Sequence, residues 1–134
     1  MNRSRRGFVA ATLAAGILVA GAGPALAGDT GAALRSPVGD WRTRTLGVAQ
    51  TITFDDEGRV YGDTGCNRFT GGYKTKGDQI TIGPLATTLR ACEQTVMDAE
   101  AIFLNKVQSA VSFTATAKRL RLHTPKDVTV FRAN

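Results

Sequence analysis

The side chains of this 134-residue chain best suited to nucleophilic or metal chemistry are those of Cys66, Cys92 and His123. The chain has no other cysteine or histidine. A thiolate beside an imidazole could act as a nucleophile, and all three side chains together could hold zinc. Zinc motifs need closer ligand spacing, and strand parity places His123 on a solvent-facing side with Arg119 and Arg121. We therefore predict no catalytic residue, no cofactor site and no metal site.

The cysteine pair itself has two interpretations. An even number of cysteines outside the cytoplasm favours a disulfide, and closing a loop of about 26 residues would add roughly 3 to 4 kcal/mol of stability. The alternative is a reactive thiol, which needs a nearby base or cation to favour the thiolate. We expect a disulfide between Cys66 and Cys92 and keep the thiol as the alternative.

The first 27 residues have the features of an export signal. Residues 1–6 contain three arginines and no acid, an apolar run extends from Gly7 to Gly23, and Ala25-Leu26-Ala27 is typical of a cleavage site. Ser4-Arg5-Arg6 fits a twin-arginine signal, although ordinary secretory leaders also contain paired arginines. The sequence predicts a signal peptide over 1–27, no stable membrane insertion, and export to a periplasm or to the cell exterior.

Removal of this leader changes the charge balance of the protein. The whole chain has a formal net charge of +6, and without the three leader arginines 14 Lys and Arg face 11 Asp and Glu, a net charge of +3. This modest charge does not favour nucleic acid as a partner. A solvated basic face that could steer an anionic envelope component is predicted on the last hairpin, at Lys118, Arg119, Arg121, Lys126 and Arg132.

The stretch from Gly65 to Tyr73 reads GCNRFTGGY, which is dense enough in glycine to suggest a phosphate loop. The lysine and Ser or Thr that such a loop needs are missing, and the neighbouring pattern consists of hairpins. We interpret Gly65 as a turn residue, and Gly71 with Gly72 as a bulge or a close backbone approach. Asn67 is expected to hydrogen bond to the local backbone of its turn.

Apolar and polar residues alternate along most of the chain after Trp41, which predicts about seven antiparallel strands with one solvent-facing side. Apolar residues recur every three and four positions over 95–110, which predicts one helix with Thr95 as its N-cap and Lys106 near its C-terminus. Residues 28–38 have no pattern and are expected to be a disordered lead-in. One domain over 39–134 follows.

Two segments together resemble a known family. The first contains the G-C-N motif, and the second runs from an A-T-T motif to an A-C pair; the matching positions include Gly65, Cys66, Asn67, Gly71, Tyr73, Thr88, Ala91 and Cys92. They resemble the META domain, a family that includes HslJ-like envelope proteins of bacteria. The resemblance extends from about Gly39 to Phe131. Leu89 and Arg90 stand where the family more often has a basic residue and then methionine, a departure that we expect to affect packing only.

The resemblance implies a mainly β (α+β) fold, a small and partly open lipocalin-like antiparallel barrel with one covering helix. It also implies a link with heat-shock or antibiotic stress in the cell envelope, and it supplies no catalytic residues. We therefore expect a monomeric, non-enzymatic protein that binds an envelope partner. Two alternatives are a carrier of a small apolar ligand, which needs a cavity where Phe54, Phe103 and Phe113 would pack, and an inhibitor of an exported hydrolase with a rigid loop.

Overall fold

The computed structural model describes residues 32–134, so the predicted signal peptide over 1–27 lies outside the described residues. Eight strands and one helix follow one another along the described chain. They are β1 (Gly39–Thr45), β2 (Val48–Phe54), β3 (Arg59–Asp63), β4 (Arg68–Lys76), β5 (Gln79–Thr87), α1 (Gln94–Gln108), β6 (Ser112–Ala115), β7 (Arg119–His123) and β8 (Val128–Ala133).

Every strand pairs antiparallel with its neighbour in the chain, and β8 returns to β1, so the sheet closes into a barrel. The predicted mainly β, lipocalin-like barrel with one helix is confirmed. The expectation of a partly open barrel is wrong, because β1 pairs with β8 through Trp41 and Ala133. The shortest pairing lies between β5 and β6, at Gln79 and Ser112, and α1 connects these two strands in the chain.

The barrel interior is filled by side chains from alternate strand positions. On β2, Ile52 and Phe54 are at most 1% exposed, and Thr53 between them faces outward. Phe103 from α1 enters the same core, where its ring centroid lies 5.6 Å from that of Phe69 and 6.3 Å from that of Phe131. Edge-to-face rings at these distances are well packed and stabilise the contact of the helix with the barrel.

Helix α1 covers one end of the barrel. The buried Gln50 side chain donates from Nε2 to the Ala99 carbonyl at 3.2 Å, and Lys106 forms an ion pair with Asp127 of the β7–β8 turn at 3.4 Å. Lys106 lies in the last helical turn, as predicted. The prediction of Thr95 as the N-cap is wrong, because Glu93 occupies that position without a side-chain capping bond.

Residues 32–38 contact the barrel through specific bonds. The Leu34 N–H donates to the Ala115 carbonyl at 2.7 Å, and the buried Pro37 accepts a bond from Trp41 Nε1 at 2.8 Å. The described part of the expected disordered lead-in is thus attached to β6 and β1. No helix within 32–134 is long and apolar enough to cross a membrane.

Candidate functional site

The candidate site begins at the two cysteines. Cys66 lies in the connection between β3 and β4, Cys92 lies just before α1, and a disulfide joins them with 6.0 Å between the Cα atoms. Gly65 has φ +92, the left-handed conformation expected for a turn glycine. Because both described cysteines are bonded, no thiol is left for the reactive-thiol alternative.

The backbone of Asn67 bonds to Thr64 within the turn, but its side-chain amide bonds to residues distant in the chain, so the expectation that this side chain bonds to the local backbone is corrected. Its Oδ1 accepts from the Arg90 N–H at 2.6 Å and from Thr88 Oγ1 at 2.8 Å, and its Nδ2 donates to the Arg90 carbonyl at 3.3 Å. The reason is burial: Asn67 is only 4% exposed, so all polar groups of its amide need partners inside the protein.

The same amide reaches helix α1. Asn67 Nδ2 donates to the two carboxylate oxygens of Glu100 at 3.1 and 2.9 Å, and Thr64 Oγ1 donates to the same carboxylate. Gln50 adds a bond from Nε2 to the Thr64 carbonyl at 3.1 Å. One polar network therefore connects the β3–β4 connection, the segment 88–93 and the helix. Its members satisfy one another's hydrogen bonds, which is the condition for a buried polar network to hold its parts in a fixed arrangement.

The segment 88–93 has no regular secondary structure and presents Leu89 to solvent. The Leu89 side chain is 95% exposed, so the expectation that this position affects packing is wrong. The backbone is held on both sides, by the Thr88 N–H donating to the Arg68 carbonyl at 3.0 Å and by the bonds from Asn67 to Arg90. Neither backbone group of Leu89 makes a hydrogen bond with any residue of 32–134.

An open groove of about 950 Å³ adjoins this segment on the outer face of β2 to β5. Tyr61, which is 42% exposed, projects from β3, and Thr53 and Thr70 are its direct cross-strand neighbours. Arg68 and Thr88 line the end of the groove next to Leu89. We call the groove together with residues 88–90 the Leu89 surface.

Close backbone packing forms part of the groove wall. A Cβ at Gly62 would lie 2.1 Å from the Thr51 carbonyl oxygen, so only glycine fits between these strands. The register of β4 against β5 shifts between Gly71 and Tyr73, which confirms the predicted bulge.

Tyr73 donates its hydroxyl to the Asp55 carbonyl, and burial raises the pKa of Tyr73, with the charge of Asp55 raising it further.

The other residues considered for chemistry lie apart from the Leu89 surface or serve local structure. His123 is half-buried on the outer side of β7, with Nε2 at 3.5 Å from Thr114 Oγ1. Asp55 accepts bonds from the Glu57 and Arg59 N–H groups at 2.9 and 2.8 Å, as a turn residue does. Within the described residues, no group of three or more His, Cys, Asp or Glu could hold a metal ion.

Sequence patterns did not identify Leu89 or Tyr61 as candidates. A weak signal for Tyr61 was present, because it alternates with the inward-facing Val60 and must therefore face solvent. Leu89 lies in a stretch without periodicity, and the contacts that hold its neighbours, made by Asn67 and Cys92, are long-range.

The class of fold is a small closed antiparallel barrel with one helix across its end and a disulfide beside that helix. The family model of the META domain matches residues 34–134, and the chain belongs to that family. The match begins before the domain boundary at residue 39 predicted from the sequence. No curated protein sequence matches the chain.

Solved structures share this fold. A protein from Burkholderia xenovorans, solved by NMR, is similar with a TM-score of 0.59 and 21% identity over 71% of this chain and 80% of that chain. A DUF4847 family protein from Bacteroides vulgatus is similar with a TM-score of 0.52 and 16% identity over 63% of this chain and 57% of that chain. At these identities the likeness concerns the fold alone.

Proposed function

We propose that this chain is an exported, non-enzymatic binding protein of the cell envelope that engages a protein partner through the Leu89 surface. The leader-like residues 1–27 support export, and the disulfide suits an oxidising compartment. The observation that carries the binding role is the 95% exposure of Leu89 on a segment with fixed neighbours. We further propose a role in the envelope stress response, which rests on the family resemblance alone.

Fixed geometry is what makes an exposed leucine suited to binding. A flexible loop loses conformational entropy when it binds, whereas the segment around Leu89 is already held by the disulfide and by Asn67. Burying one leucine side chain in a partner's pocket contributes about 1.5 to 3 kcal/mol. Leu89 therefore has the character of an anchor residue.

The groove supplies the contacts around that anchor. Tyr61 offers a half-exposed aromatic ring, and aromatic and arginine side chains are frequent in binding hot spots. Arg68 contributes a cation at the rim, where charge guides association more than it adds affinity. The Leu89 surface thus combines the exposed Leu89 and the aromatic ring of Tyr61 with polar and charged neighbours such as Arg68, a composition that suits a protein interface.

A protein partner fits the structure better than an apolar ligand inside the barrel. Phe54, Phe103 and Phe113 are each at most 2% exposed and belong to one continuous core. A small-molecule carrier needs interior space of a few hundred Å³ or more. The groove lies on the outer wall of the barrel, and its lining mixes Thr, Asp and Arg side chains.

Site-specific photo-cross-linking in the producing cell tests this proposal. A photoreactive residue at Leu89 should give one discrete cross-linked protein, whereas the same residue at Leu46, an exposed leucine in the β1–β2 turn, should not. Equal cross-linking patterns at both positions, or no adduct at Leu89, would contradict the proposal. The unfolding midpoint of both labelled proteins serves as the folding control.

A second candidate, an inhibitor of an exported endopeptidase, is favoured by the free backbone of Leu89. Endopeptidases bind extended segments through backbone hydrogen bonds and a side-chain pocket, and both Leu89 backbone groups are unbonded within 32–134. Hydrolysis of the Leu89–Arg90 bond would add water and leave a carboxylate on Leu89 and an amine on Arg90. The disulfide would still join the two fragments, because Cys66 and Cys92 lie on opposite sides of that bond.

A change of specificity tests the inhibitor function directly. The purified protein should inhibit a serine endopeptidase that prefers apolar side chains, such as chymotrypsin, and Leu89→Arg should transfer inhibition to trypsin. The matched control is Leu46→Arg, at an exposed leucine in the β1–β2 turn outside the Leu89 surface; it should leave chymotrypsin inhibition within about threefold and should give no inhibition of trypsin. Rapid cleavage without inhibition, or inhibition that Leu89→Arg does not redirect, would contradict this function while leaving the binding proposal in place.

A further inference from the structure

The wall of the barrel formed by β1, β7 and β8 carries three arginines in directly paired positions. Arg119 of β7 pairs with Arg132 of β8, and Arg132 pairs with Arg42 of β1. Paired residues of antiparallel strands lie on the same face, and the buried Trp41, Leu120 and Phe131 beside them show that this face is the outer one. We call Arg119, Arg132 and Arg42 the arginine row.

We infer that the arginine row binds a polymer that carries repeated phosphate groups and no bases. Like charges placed directly opposite each other on a sheet destabilise it. No carboxylate of residues 32–134 forms an ion pair with any of the three guanidinium groups. An arrangement of like charges that costs stability and has no ion-pair partner within residues 32–134 is typical of a binding site, where an external anion supplies the missing charge.

The spacing of the arginine row favours a polymer over a single small anion. Neighbouring strands lie about 4.8 Å apart, so three consecutive strands present their cations over roughly 10 Å. Guanidinium groups match phosphate oxygens in a bidentate geometry. Arg44 and Arg121 stand two residues along β1 and β7 on the same outer face and extend the site.

The side chains around the arginine row argue against nucleic acid. Recognition of single strands depends on aromatic side chains on which bases stack. The outward positions of β7 and β8 hold arginine, histidine and valine, among them His123 and Val130, and no Phe, Tyr or Trp. A sugar–phosphate chain with bases would leave its bases without stacking partners, whereas a base-free phosphate polymer needs only the cations.

Inorganic polyphosphate of defined length is the probe for this site, with binding measured by calorimetry at about 0.15 M salt, where non-specific attraction is screened. The wild-type protein should bind it, and Arg132→Gln should weaken binding by about tenfold or more, as expected for loss of a charge-assisted hydrogen bond. The matched control is Arg59→Gln on β3, which removes the same charge from the groove side of the barrel. It should change the affinity by less than about threefold.

Stability without polyphosphate gives an independent readout. At low salt Arg132→Gln should melt at the same temperature as the wild-type protein or higher, because it relieves repulsion from Arg42 and Arg119. The inference is overturned by absence of binding, by equal weakening in Arg132→Gln and Arg59→Gln, or by loss of binding together with a lower melting temperature. Tighter binding to a single-stranded oligonucleotide of equal charge, or binding to anionic vesicles without binding to polyphosphate, also overturns it.

Discussion

The side-chain amide of Asn67 bonds both polar groups of the Arg90 backbone, accepting from its N–H at 2.6 Å and donating to its carbonyl at 3.3 Å. The amide also donates to the Glu100 carboxylate. A single buried side chain thereby fixes the residue that follows Leu89 and links it to the helix. The exposed leucine is therefore presented by a rigid support.

Substitution of Asn67 should remove the hydrogen bonds that hold the segment around Leu89 and should lower the stability of the protein. Asn67→Ala should lower the free energy of unfolding by about 2 to 4 kcal/mol, because it removes the bonds of a buried amide to the Arg90 backbone and leaves the Glu100 carboxylate with Thr64 Oγ1 as its remaining donor. Asn67→Asp should be similarly destabilised at pH 7 and less so near pH 4.5, since two neighbouring carboxylates favour uptake of a proton. Urea unfolding at both pH values is the measurement. Equal loss at both pH values would contradict the contact with Glu100.

The disulfide should contribute strongly to stability. Replacing Cys66 and Cys92 together by alanine should cost roughly 3 to 4 kcal/mol, because the bond closes a loop with a sequence separation of 26 residues. Thiol titration of the denatured, unreduced wild-type protein should find no free thiol. Two titratable thiols, or an unchanged midpoint in the double variant, would contradict the disulfide.

Tyr73 should make the protein less stable in alkaline solution. Burial raises its pKa above the ordinary value of 10.0, so the unfolded chain releases this proton at a lower pH than the folded protein. The contribution is present in full below pH 10.0 and is lost as the pH rises through the folded pKa. Unfolding of the wild type and of Tyr73→Phe between pH 8 and pH 11, at about one-unit steps, should show a shallower decline for the variant. Parallel declines would contradict the prediction.

Alanine substitutions at Gly62, which is crowded, and at Gly77, which is not, test the close packing of two strands. Gly62→Ala places a Cβ 2.1 Å from the Thr51 carbonyl and should cost about 3 kcal/mol or more, because backbone must move. Gly77→Ala meets no atom within 4 Å, so its cost should be about 1 kcal/mol from its positive φ alone. Thermal unfolding of both variants measures the difference. A smaller cost at Gly62 than at Gly77 would contradict the close approach of β2 and β3.

Local patterns were sufficient to predict most strands and the helix. Alternation along Ile52 and Phe54 and the glycine-containing turn before Arg59 define a hairpin from short-range information. The bulge at Gly71 also followed from residue type. These features depend on neighbours in the chain, which a single sequence contains.

Features that depend on distant contacts were predicted less well. Closure of the barrel requires Trp41 to pair with Ala133, at the two ends of the domain. The segment that presents the exposed Leu89 is held by Asn67, whose bonds to Arg90 cross more than twenty residues of sequence. Helix capping failed for a different reason, because Thr95 satisfies the sequence rule but the helix begins one residue before it, at Gln94.

The affinity of the cross-linked partner for two leucine variants tests the central claim most directly. Leu89→Asp should weaken binding by about 30-fold or more, the loss expected for a hot-spot residue, with the unfolding midpoint unchanged. Leu46→Asp is the control, since Leu46 is 58% exposed with φ 50, a conformation that Asp tolerates, and it should change binding by less than about threefold. Equal affinity of Leu89→Asp and the wild type would contradict a binding role for the Leu89 surface.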